Sequence, residues 1–231
     1  MRADDHLPHA TAVAAFDLDG TLTDGGSVAH WLRAVAGAAA VRRALVRRSP
    51  ALVVGALRSG SAADEAKESL FTSVLAGREL ASVIAISDRF ADDHLRAHVR
   101  PEVAQRLDGH LRAGHAVVLV SASPALYVDR IGHALGAHGS VATELEVDAQ
   151  GRLTGRYEGK NCRGEEKLRR VRELLIRLGV GDTGPDRPLF AYGNSRGDLR
   201  LLAGADRPVD VSRLGRFGAL RAYPRLDAVT I

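Results

Sequence analysis

Three short apolar runs, each ended at once by small or polar residues, organise this chain. Thr11 to Phe16 runs into Asp17-Leu18-Asp19-Gly20-Thr21, Ala116 to Val120 into Ser121-Ala122-Ser123-Pro124, and Pro188 to Tyr192 into Gly193-Asn194-Ser195. Continuous rather than alternating apolar runs of this length predict strands buried on both faces. Val209 and Val211 suggest a fourth. From about residue 27 to residue 112 the pattern is helical, punctuated by Gly60-Ser61, Gly77 and Arg100-Pro101 into several helices. Ser123 is placed to cap a further helix that runs to about Leu135, with Pro124 in its first turn. Glu144–Asp148 and Arg152–Tyr157, joined by Ala149-Gln150-Gly151, predict a hairpin. Leu168, Val171, Leu174, Leu175 and Leu178 form a helical stripe, and another helix follows Ser195 as far as Leu202.

Strands separated by helices imply a parallel sheet with crossover connections, an α/β fold with a Rossmann-like core. Ligands in such sheets gather at the carboxyl ends of the strands. Three predicted strands end in polar clusters: Asp17 with Asp19, Ser121 with Ser123, and Asn194 with Asp198. The helical stretch between the first two strands is too long for an ordinary crossover and predicts an inserted cap. Residues 1–24 and 100–231 are expected to form the core and residues 25–99 the helical cap.

Composition narrows the classes. One cysteine, Cys162, excludes an intrachain disulfide framework and, with no Cys/His cluster at ligand spacing, a structural zinc site. A reducing, cytoplasmic compartment fits. Met1 to His9 lacks the basic start and apolar stretch of a signal peptide, and no 18 consecutive apolar residues occur. The net charge of +4 comes from 32 basic residues, of which only Lys67, Lys160 and Lys167 are lysines. No nucleic-acid-binding module accompanies that charge, so no nucleic-acid partner is expected.

Two carboxylates two residues apart at a strand end can lie on one side of the chain, where one can act as nucleophile and the other transfer protons, and both can meet Mg²⁺. Gly20 permits a tight turn beside a ligand, and Thr21 offers a hydroxyl. The segment Asp17-Leu18-Asp19-Gly20-Thr21-Leu22-Thr23 resembles the first motif of the haloacid dehalogenase (HAD) superfamily of phosphohydrolases. Val117-Val118-Leu119-Val120-Ser121 is similar to the second motif, Lys167 in Gly164-Glu165-Glu166-Lys167 to the third, and Gly193-Asn194-Ser195-Arg196-Gly197-Asp198 to the fourth. The cap position resembles the phosphoserine-phosphatase-like branch, subfamily IB, with a C1-type helical cap.

The resemblance implies a Mg²⁺-dependent phosphomonoesterase. Asp17 would attack phosphorus to form an aspartyl-phosphate, and Asp19 would protonate the leaving group and later take a proton from water. Gly20, Thr21, Ser121 and Ala122 would hold phosphoryl oxygens. Lys167 would neutralise charge at the reacting centre, with Arg163 and Lys160 as competitors for that role. Mg²⁺ would rest on Asp17, the Asp19 carbonyl and the fourth motif, Asn194 and Asp198. Asn194 departs from the commoner Asp, which removes one negative charge from the metal site. A weakly active phosphate-binding protein is the competing class.

The cap bears on the substrate. From Gly25 to Ala63 there are six arginines, at 33, 42, 43, 47, 48 and 58, and no acid, which leaves 26 basic against 28 acidic residues elsewhere. Interleaved with apolar residues, they form a segment of the kind that lies on anionic lipid, at the inner face of a membrane. A lipid or other anionic phosphate ester is therefore expected. Phosphoserine is the alternative by resemblance, although only Asp24 could answer its ammonium group. His94 and His98, four apart on a helix beside Asp92 and Asp93, offer a metal pair, but a solvated helix face far from the site is the expected reading. Cys162 lacks an identifiable base, and Arg196-Gly197-Asp198 is absorbed by the fourth motif.

Overall fold

The computed structural model describes residues 7–57, 61–213 and 218–231. The side chains of Arg48, Arg58 and Leu52 to Val54, and the first six residues, on which part of the sequence reading rests, lie outside that description. Among the described residues, five parallel strands form one sheet: β1 (Val13–Phe16), β2 (Ala116–Pro124), β3 (Gly139–Thr143), β6 (Leu189–Gly193) and β7 (Arg207–Asp210), in the order β3-β2-β1-β6-β7. β4 (Leu145–Val147) and β5 (Leu153–Tyr157) form a separate antiparallel hairpin. The chain builds outward from β1 through β2 to β3, then returns to the other side of β1. The switch point therefore falls between β1 and β6, where the Asp17 and Asn194 strand ends lie side by side.

Alternation sorts the strand residues between two layers. Ala14, Phe16, Val117, Leu119, Phe190 and Tyr192 face one cluster, which contains residues of α5 (Pro101–Arg112) and α6 (Ala125–Ala134). Val13, Ala15, Ala116, Val118, Val120, Leu189 and Ala191 face the other, with α7 (Glu165–Arg177) and α8 (Leu199–Ala203). Both faces are dry, which is why these strands read as unbroken apolar runs. β3 escapes that reading: it is an edge strand whose first two residues, Gly139 and Ser140, are only half-buried.

Between Asp24 and Val99 the described chain is helical: α1 (Val28–Ala36), α2 (Ala38–Leu57), α3 (Ser61–Leu75) and α4 (Leu80–His98). α1 buries Trp31, Leu32 and Val35, with the Trp31 indole N–H donating to Ser87 Oγ at 2.8 Å. The two connections to the sheet run side by side. Asp24 N–H donates to the His98 carbonyl at 2.9 Å, and Arg100 N–H to that of Leu22 at 2.8 Å. The β4–β5 hairpin leaves the sheet and packs on α3. Gly155, at φ +78°, is required there, because a Cβ would lie 2.5 Å from the Thr72 Cα. One wall of the cap thus comes from the far half of the sequence.

Arg33, Arg42, Arg43 and Arg47 are exposed on α1 and α2, as is Val46. No described helix is long and apolar enough to cross a membrane.

Candidate active site

Asp17 follows β1 directly, with its N–H on the Tyr192 carbonyl of β6 at 3.0 Å. One carboxylate oxygen accepts from Lys167 Nζ at 2.6 Å and the other from Thr21 Oγ1 at 2.8 Å. Lys167 arrives from the first turn of α7, 2% exposed, and also donates to Asp198 at 2.5 Å. Of the three candidate cations, Lys167 lies between the two carboxylates, whereas Arg163 turns to Asp64 at 3.6 Å and Lys160 is exposed.

Burial and the nearby Asp198 charge push the Asp17 carboxyl up to about 7, against the pull of Lys167. Burial would lower the Lys167 ammonium, but Asp17 and Asp198 outweigh it and raise it above the ordinary lysine range. Burial likewise works to raise Asp198, yet Lys167 and Ser195 hold it below the usual carboxylate value.

Asp198 does not stand ready as a direct metal ligand, contrary to expectation. Its Oδ1 accepts from Lys167 and its Oδ2 from the Asn194 and Ser195 N–H groups and the Ser195 hydroxyl. It fixes the loop after β6 and positions Lys167. Asn194 offers instead a buried Oδ1 with no hydrogen-bond partner. Gly20 makes room for this side chain: at φ +79°, a Cβ there would lie 2.0 Å from Asn194 Nδ2.

Asp19 is held by groups the sequence did not single out for it. Ser27 N–H donates to its Oδ1 at 2.7 Å and Ser123 Oγ to its Oδ2 at 2.5 Å. The expectation that Ser123 caps α6 is therefore corrected: the helix starts at Ala125 after an extended Pro124, with no side-chain cap. Ser123 is drawn away by the stronger acceptor, a carboxylate. Ser121 Oγ accepts the Ser123 N–H at 3.0 Å, which leaves its O–H proton to donate to a ligand.

Three further side chains complete the surroundings. Arg100, 5% exposed, donates from Nη1 to the carbonyls of Gly20 at 2.7 Å and Val211 at 2.9 Å, tying the turn after β1 to the base of the cap. Tyr127 meets Ser27 Oγ at 2.7 Å. Lys67 reaches from α3 across to the Ala122 carbonyl at 2.6 Å. Burial lowers its ammonium to about 8, partly offset by Asp19 and Asp64. Of the chain's three lysines, Lys167 is buried and Lys67 half-buried, in a sequence that otherwise uses arginine. That usage was the available signal for Lys67.

His94 is also misplaced by the sequence reading. It is 3% exposed, and its ring approaches His98 on the same helix and His30 on α1. His94 faces inward with His98 half-exposed at its edge, so three histidines meet where the sequence offered no cluster at ligand spacing, while Asp92 pairs with Arg130 and Asp93 with Arg96. Cys162 is buried, its thiol pushed up to about 11 by burial, which makes it unreactive.

A model of the haloacid dehalogenase-like hydrolase family matches residues 14–203, which takes in the Asp17, Lys167 and Asp198 cluster. The chain belongs to that family. Among relatives of this hydrolase, protein CicA of Caulobacter vibrioides is 32% identical over 201 residues, spanning 87% of this chain and 86% of CicA. Phosphoserine phosphatase SerB1 of Mycobacterium tuberculosis is 28% identical over 198 residues, 84% of this chain and 62% of SerB1. A solved structure of a protein of unknown function from Bordetella pertussis Tohama I superposes with a TM-score of 0.78 at 28% identity, covering 95% of this chain and all of that one. Its fold is shared with solved phosphoserine phosphatases.

Proposed function

We propose that this hydrolase cleaves phosphomonoesters through a phosphoryl group carried on Asp17, with Mg²⁺ as its metal. The observation that carries the reading is Lys167 at 2.6 Å from Asp17 and 2.5 Å from Asp198, a buried cation held against the nucleophile. In the first step an Asp17 carboxylate oxygen bonds to phosphorus and the ester P–O bond breaks. The leaving alkoxide takes a proton from Asp19, which enters the step protonated. In the second step water attacks phosphorus, gives its proton to Asp19, and the Asp17–phosphorus bond breaks to release phosphate. Thr21 orients one Asp17 oxygen, and Ser27 with Ser123 fixes Asp19 for both transfers. Lys167 compensates the charge that gathers on Asp17 and the phosphoryl oxygens.

The residues present fit a hard cation. The Asp17 carboxylate, the Asp19 carbonyl and the otherwise unpartnered Asn194 Oδ1 would hold it with oxygen donors alone. Mg²⁺, when bound there, supplies positive charge to the phosphoryl oxygens. Ser121 and the chain at Gly20, Thr21 and Ala122 are assigned to the phosphate.

The cap, taken as residues 25–99 on a core of 1–24 and 100–231, selects the ester. Lys67 presents an ammonium to the Ala122 side of the site, which favours esters that carry negative charge beyond the phosphate. Phosphoserine is disfavoured, because Asp24 is already engaged with His98 Nδ1 at 2.8 Å. A lipid phosphate is the second reading, favoured by exposed Arg33, Arg42, Arg43, Arg47 and Val46. Mg²⁺-dependent phosphate release from soluble esters, phosphoserine and a lipid phosphate in anionic vesicles tests these readings side by side. Turnover is expected to vanish in Asp17→Asn; an equal rate in that variant overturns the mechanism. Preference for the vesicle arm selects the lipid reading over the soluble one.

A further inference from the structure

Three imidazoles converge between α1 and α4. His30, His94 and His98 each present a nitrogen, and the three lie within 4.8 Å of one another. His94 is 3% exposed and its Nε2 has no hydrogen-bond partner, an orphaned polar atom of the kind a native fold rarely leaves buried. His98 has its Nδ1 against Asp24 Oδ1 at 2.8 Å. A carboxylate on one ring nitrogen fixes the tautomer and turns the other nitrogen into the ligand, the arrangement that supports metal-bound histidines. His30, exposed at the rim, closes the third corner.

We propose that His30, His94 and His98 bind a divalent transition-metal ion of the Zn²⁺ class, with Asp24 positioning His98. Zn–N bonds of about 2.0–2.1 Å in a tetrahedral site place the nitrogens about 3.4 Å apart, so the triangle needs only to contract, which His30 at the rim permits. Three imidazoles and no oxygen ligand select Zn²⁺, Co²⁺ or Ni²⁺ over Mg²⁺, which takes oxygen donors. The site is thus chemically distinct from the Asp17 centre. A fourth position remains for water or an anion. Its place matters to the reaction: His30 lies one helical turn beyond Ser27, whose N–H holds Asp19, and Asp24 lies on the connection from the sheet. A bound ion ties α1 to α4, stabilising the arrangement of Ser27 around Asp19.

Co²⁺ titration of the tag-free, metal-stripped protein in excess Mg²⁺ tests this, followed by visible absorption and by displacement with Zn²⁺. The expected result is one Co²⁺ per chain with the intense bands of a tetrahedral site. His30→Gln and His98→Gln should each weaken binding at least about tenfold, and Asp24→Asn by about 10–100-fold, while Asp17→Asn leaves it unchanged. His30 is exposed, so its variant is expected to keep the fold and the far-ultraviolet circular dichroism of the parent. An absorption spectrum like that of aqueous Co²⁺, or parental affinity in both histidine variants, overturns the proposal. Loss of the signal in Asp17→Asn also overturns it, by assigning the ion to the phosphate site. Because Asp17→Asn ends turnover on the proposed mechanism while sparing this signal, failure of one reading is separable from failure of the other.

Discussion

Lys167 and Lys67 meet the same site from opposite sides, and their surroundings differ in kind. Lys167, on the sheet side, sits between Asp17 and Asp198, and those carboxylates outweigh burial and keep it charged. Lys67, on the cap side, finds a neutral carbonyl and an amide oxygen, and burial lowers it to about 8. The sheet side is therefore charge-compensated before any substrate arrives. The cap side holds a cation whose best partner is an anion it has yet to meet. On the proposed mechanism, chemistry belongs to the compensated region and selection to the uncompensated one.

The largest expected effect comes from dismantling the compensated side. Asp17→Asn should lower kcat at least about a thousandfold in a phosphate-release assay, since the proposed nucleophile is gone. Lys167→Met should abolish turnover and also cost about 3–5 kcal/mol in urea unfolding, because it leaves two carboxylates buried without their cation. A variant that lost activity but kept full stability would show that Lys167 is not the charge that holds the cluster together.

Removing Lys67 should act differently. Lys67→Met is expected to raise KM for an anionic ester about tenfold or more while kcat changes only a few-fold, with no loss of stability. In the native protein KM should rise above about pH 8, because Lys67 loses its proton as pH climbs through its lowered value. Lys67→Arg should remove that limb, since guanidinium stays charged. A KM that is flat to pH 10 would place the selecting charge elsewhere.

Smaller effects sharpen the boundary between the two sides. Asn194→Asp should tighten apparent Mg²⁺ affinity about tenfold by restoring a negative charge; no change in a metal titration removes Asn194 from the ligand set. Ser123→Ala should lower kcat several-fold, the equivalent of about 1 kcal/mol for one hydrogen bond to Asp19, with KM little altered.

Residues near one another in sequence were legible, and so was most of the sheet. The runs before Asp17, Ser121 and Asn194 needed only their own apolarity to announce buried strands, and all three became central strands. β3 was missed because an edge strand is wetted on one side and carries Gly139 and Ser140 in place of an apolar run. Ser123 was read as a helix cap because local rules favour Ser before Pro. A carboxylate 104 positions away proved the stronger acceptor. His94 and His98 were read as solvated because acids flank them, yet the 3.6-residue period turns His94 inward and Asp93 outward, with His98 half-exposed between.

The sequence by itself determined the α/β class and the long helical insertion, and it singled out Asp17, Asp19, Ser121 and Asn194 as candidates. Each of these rests on local periodicity or on contiguous residues, which a chain carries in its order. Only the tertiary structure decided which cation joins Asp17, that Asp198 spends its oxygens on Lys167 and its own loop, that Ser27 and Ser123 hold Asp19, and that Lys67 and the three histidines line the cap. Those facts depend on distances between elements far apart in the chain. Burial and electrostatics choose among many side chains of the same type there, and only the packed fold supplies that choice.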